Sequence, residues 1–93
     1  MNTNEFENAL KAENFNEGVL VSKPVGYEMD EHTHPFEAWA LIVEGAITLR
    51  VNGVSTTYAA GDTFRLPAQT PHHENAAAHG VTYLAGRKVP VAA

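Results

Sequence analysis

The chain has 93 residues, enough for one domain with a single modest core, burying roughly 60–70% of its unfolded surface. Hydrophobic content of 44% and charged content of 18% describe a globular rather than a disordered chain. The net charge is −5 and the six basic residues are scattered, which argues against a nucleic-acid partner, and with no cysteine, disulfides and thiolate metal sites are excluded.

Glu5 and Glu7 occupy the region where a secretion signal would be positive, and no apolar segment follows them. The longest apolar run, Ala38–Val43, is six residues, far short of a membrane span. The expectation is a soluble, cytoplasmic protein with no membrane partner.

Thr3 to Glu13 reads as a short amphipathic helix, capped by Thr3 or Asn4, with Phe6, Ala9 and Leu10 as its apolar stripe. About three turns are marginal alone, so this helix is expected to pack on something larger. After Gly18 the pattern turns to β. Val19-Leu20-Val21 is a strand stopped by Lys23-Pro24, Gly26 to His32 alternates weakly, and Pro35 interrupts any ladder after His34. Phe36 to Val43 is the strongest strand, followed by a turn at Glu44-Gly45. Ile47, Leu49 and Val51 then alternate with more polar residues. Asn52-Gly53 favours a type I′ turn, with Val54 to Ala59 as the hairpin partner. Phe64 and Leu66 alternate up to Pro67, a turn at Ala68 to Pro71 leads into His72 to Asn75, and a last strand covers about Gly80 to Ala85. Roughly seven or eight short strands separated by turns indicate an all-β sandwich or closed barrel. The expected layout is an N-terminal helical segment over 1–17, a β-barrel over 18–86 and a loose C-terminal tail over 87–93.

The strand around Trp39 is apolar on both faces, with Ala38, Ala40 and Ile42 on one and Trp39, Leu41 and Val43 on the other, so both should be covered. If the alanine face looks into the barrel, the Trp39 face must meet another sheet, the N-terminal segment or a second subunit. A homodimer through that face is the expectation.

Four of the five histidines form two clusters, His32/His34 and His72/His73. Histidines one residue apart on a strand share a face, roughly 6–7 Å apart at the backbone. His72 follows the rigid turn Pro67 to Pro71, at a place that would open a strand at a barrel mouth. With these motifs in view, the chain resembles a small single-domain cupin of the double-stranded β-helix, jelly-roll-like superfamily. The first cupin motif reads Gly26, five residues, His32-Thr33-His34 and a strand ending at Gly45; the second reads Gly61, five residues, Pro67 and then His72.

The resemblance implies that His32, His34 and His72 are metal ligands. The family's glutamate ligand would fall at Ala38, with Glu37 one place early. From a regular strand Glu37 faces away, so it could ligate only if a bulge near Pro35 re-aimed it. Gln69 stands at the second motif's glycine, and Ala76 at its asparagine position with Asn75 beside it. Glu74 shares parity with His72 and could ligate metal, orient a histidine or serve as a catalytic acid or base. Glu37, Glu74 and water are thus the alternatives for completing the set. His73 should face away and His79 should lie in a loop.

Imidazole ligands suit one divalent transition metal, with Fe, Zn, Ni, Co, Mn and Cu all open. Three protein ligands leave coordination positions free, the arrangement of a catalytic site. Ala38 and Ala40, facing Phe64 and Leu66, would line a partly apolar pocket for a small-molecule ligand or substrate. Three-histidine sites in the family are associated with dioxygen chemistry, which implies a non-haem-iron dioxygenase-like activity. The alternative is a non-catalytic cupin module that senses or stores a small ligand or metal.

Overall fold

The computed structural model describes residues 1–90; the expected tail therefore lies partly outside the described residues. Helix α1 spans Thr3–Ala12, followed by strands β1 (Val19–Lys23), β2 (Glu28–His32), β3 (Glu37–Val51), β4 (Val54–Ala59), β5 (Thr63–Leu66) and β6 (His72–Lys88). Every strand pairing is antiparallel, and β3 and β6 form the spine, with β1 and β2 on β6 and with β4 and β5 on β3. The result is the all-β barrel expected, with one short helix outside it.

Four expected strands are two long ones. The turn at Glu44-Gly45 is a bend within β3, and the interval between Asn75 and Gly80 is part of β6. Pairing shifts where Val43 is extra between Ile42↔Tyr83 and Glu44↔Thr82, and where Ala77 to Gly80 bulge out opposite Ala46. Such bulges let one strand curl between two faces of a barrel. Gly45 sits at the closest approach, with φ +75°, and a Cβ there would lie 2.1 Å from the Gly80 carbonyl oxygen. Only glycine combines that backbone conformation with that proximity. His79 belongs to this bulge in β6 rather than to a separate loop.

β6 also runs beyond the expected end at Ala85. Gly86, Arg87 and Lys88 pair with Trp39, Ala38 and Glu37 of β3, so the ladder, not a loose tail, holds this segment. The Asn52-Gly53 turn closes the β3–β4 hairpin with positive φ at both residues, 52° and 78°, as type I′ requires.

The two faces of β3 serve two cores. Ala40, Ile42, Ile47 and Leu49 meet Phe64, Leu66 and Val81 inside the barrel. Leu41 meets Phe6, Leu10, Phe15 and Leu84 on the outside. Trp39 packs edge-on against Phe6 at 5.3 Å and Phe15 at 5.5 Å. The N-terminal segment thus covers Trp39 and Leu41 on the face for which a homodimer was expected, while Val43 on that face stays exposed. The helix itself is capped one residue earlier than expected, because Asn2 and Glu5 form a reciprocal capping box.

Candidate metal centre

The barrel brings His32, His34 and His72 together, each offering a ring nitrogen within 4.8 Å of the others. One extra residue in β2 between Met29↔Glu74 and His32↔His72 sets His32 directly across from His72. Their ring centroids are 4.2 Å apart. His34 lies two residues on, past the end of β2, where its carbonyl accepts the Gln69 N–H at 2.8 Å and ties the Pro67–Pro71 turn to the site. Gln69 makes this turn with φ 62°, a left-handed conformation that explains why the motif favours glycine at this position.

Two of the rings are oriented by backbone carbonyls. His32 Nδ1 donates to the Asp30 carbonyl at 2.7 Å, and His72 Nδ1 donates to the Thr70 carbonyl at 2.8 Å. A carbonyl only accepts, so both Nδ1 atoms carry a proton, and the neutral form of each ring presents its lone pair at Nε2. His32 Nε2 is buried and without any hydrogen-bond partner among the described residues. A buried polar atom without a partner is costly and rare, and a cation held by the three rings would satisfy it. The donor set fits a transition metal. His34 has its pKa lowered from the ordinary 6.5, by burial first and then by His32 and His72, which favours the neutral, ligating form.

Glu37 does not join them. β3 pairs regularly from Glu37 to Ile42, so Glu37 shares the outer face with Trp39 while Ala38 and Ala40 face the cavity. No bulge re-aims it. Its carboxylate instead accepts Arg65 Nε at 2.6 Å, in a pair that Glu13 joins through Arg65 Nη2 at 2.9 Å. These bonds raise the Arg65 pKa.

Glu74 lies beside the histidines, its Oε2 3.6 Å from His72 Nε2, while its Oε1 accepts the Tyr27 hydroxyl. Burial, reinforced by Glu74, raises the Tyr27 pKa, so Tyr27 keeps its proton and donates. Ala38, Ala40, Phe64 and Leu66 line the same cavity, of about 220 Å³, whose floor is the barrel core. Burial pushes the Tyr83 hydroxyl, on another wall, up to about 12.

The sequence reading passed over Phe36 and Arg87, and among Tyr27, Tyr58 and Tyr83 as pocket tyrosines nothing in the spacing singled out Tyr27; Phe36, Arg87 and Tyr27 all line this cavity. Tyr27 gave no local signal, because its role depends on β2 pairing with β6. Phe36 stacks on His34 at 4.9 Å with an 18° interplanar angle. Arg87 was within reach: Tyr83, Ala85 and Arg87 alternate on the inward face of β6, had the strand been followed past Ala85.

Residues 19–85 match the family model described as the cupin domain. The chain belongs to the cupin family. No curated protein sequence matches it. Among solved structures, a conserved protein of unknown function from Streptococcus pyogenes superposes with a TM-score of 0.71 at 25% identity, over 82% of this chain and 66% of that one. A cupin-superfamily protein from Desulfitobacterium hafniense gives 0.70 at 18% identity, over 80% and 67%. The DMSP lyase DddQ from Ruegeria pomeroyi gives 0.71 at 20% identity, over 83% of this cupin but only 40% of the lyase. The latter two likenesses are of fold. No helix among the described residues is long and apolar enough to cross a membrane.

Proposed function

We propose that this cupin binds one divalent transition metal through His32, His34 and His72 and acts on a small organic molecule held above it. The observation that carries this reading is the buried, unpartnered Nε2 of His32, aligned with two other imidazoles. An all-imidazole set suits Fe, Zn, Cu or Ni more than Mg or Ca. When bound, such a metal would polarise a ligand oxygen and lower the proton affinity of bound water.

The chain's own residues do the rest. His32 and His72 are locked in the ligating tautomer by Asp30 and Thr70. Glu74, steadied by the Tyr27 hydroxyl, holds or takes a proton at Oε2 on the cavity side of His72. Ala38 and Ala40 leave room for the substrate, and Phe64 and Leu66 give its body an apolar floor. Glu37 is committed to Arg65, which leaves Glu74 or water to complete the metal's ligands. With three histidines the reaction to test first is dioxygenase-like.

Protein reconstituted with ferrous iron should consume dioxygen with a β-diketone, thiol or polyphenol substrate. His72→Ala should remove both the metal and the turnover. Undiminished turnover in that variant would contradict the proposal; metal uptake and ligand binding without turnover would instead favour a non-catalytic sensor or storage module.

A further inference from the structure

The cavity is not lined only by apolar residues and metal-ligand candidates. Arg87 reaches its wall from the inward face of β6, across the ladder from Ala38. Its guanidinium lies over the Phe36 ring at 4.5 Å, and Phe36 in turn stacks on His34. This column holds the arginine in place beside the histidine cluster without using its hydrogen-bond donors. The contrast with Arg65 is informative, because Arg65 binds two carboxylates. Arg87 forms no ion pair with any carboxylate of the described residues.

Charge in the rest of the cavity points the same way. Lys23 is a second cation on its wall, with Nζ 4.8 Å from the Tyr27 ring centre. Glu74 is the one carboxylate among the lining residues, and Tyr27 already donates to it. An arginine fork that is stacked on Phe36, open to solvent at the cavity edge and without an ion pair among the described residues suits a planar carboxylate, which it can hold through two parallel hydrogen bonds. A volume of about 220 Å³ restricts the guest to a small molecule.

We propose that the cavity selects a small organic carboxylate, with its charged end on the Arg87 guanidinium and its body extending over the histidine cluster. This deepens the reading of the cavity as the ligand site and rests on it. Arg87 is therefore the specificity-determining residue, and the acid is preferred over its neutral analogues because they leave the guanidinium unpaired.

Amide NMR titrations of metal-free and zinc-loaded protein with isobutyrate and with isobutyramide test this directly. Wild type should bind the acid about tenfold more tightly than the amide in both forms. Arg87→Gln should bring the two within about twofold while leaving zinc uptake unchanged, and Arg87→Lys should restore part of the preference. A purely structural role for Arg87 would weaken both probes together and leave their ratio alone. Equal binding of acid and amide by wild type, or an undiminished preference in Arg87→Gln, overturns the proposal. A preference found only with zinc and kept in Arg87→Gln would make the metal the anion receptor, defeating the proposal while the metal reading stands. If zinc is not taken up but the Arg87-dependent preference persists, the proposal holds and the metal reading fails.

Discussion

The surroundings of His34 lower its proton affinity. Its folded-state pKa lies below 6.5, from burial and from two neighbouring imidazoles, so at neutral pH no proton has to leave before it can ligate. Between the folded and unfolded values the unfolded chain binds the extra proton. The metal-free fold should therefore be at full stability above pH 6.5 and weaken as pH falls through the folded value. An NMR titration of metal-free protein should find His34 titrating below 6.5; a midpoint at or above 6.5 would mean that the cluster is open to water. Gln69 makes a second case. Its φ of 62° is a conformation that L side chains adopt at a cost of about 1–2 kcal/mol. Gln69→Gly should relieve part of that strain and raise stability by about 1 kcal/mol in urea unfolding. A loss of stability would show that the Gln69 side chain contributes something its exposure does not suggest.

At the scale of elements, α1 matters most for what it covers. Phe6 is fully buried against Trp39 and Leu41, and its ring is what closes the outer face of β3. Phe6→Ala should cost about 3 kcal/mol and shift Trp39 fluorescence to the red, with metal uptake retained because the histidines lie on the other side of β3. Unchanged emission would mean that Phe15 alone shields the indole. The helix, the β3–β4 hairpin and the alternation in β3 were legible in the sequence because each depends on local spacing. The length of β3 and β6 was not, since Glu44-Gly45 and Ala77 to Gly80 look like turns in one dimension. They become bulges only when both strands pair. Which segment covers the outer face of β3 was not legible for a related reason: a two-faced apolar strand shows that a cover is needed, but not that α1 supplies it.

Over the whole molecule, one barrel gathers residues far apart in sequence into a single cavity. His32, His34 and His72 were recognisable because a motif spacing marked them, and parity placed Glu74 beside them. Parity also argued against Glu37, whose carboxylate is held on the outer face by Arg65. The role of Tyr27 became visible only when β2 was laid against β6, whereas Arg87 needed only the alternation of β6 followed past Ala85. The account stands on the three histidines forming a metal site rather than a chance cluster. Its most direct test is elemental analysis of protein purified without chelator, comparing wild type with His32→Ala. About one transition-metal ion per chain in wild type and almost none in the variant is the predicted result. No metal in wild type, or equal metal in both, would contradict it.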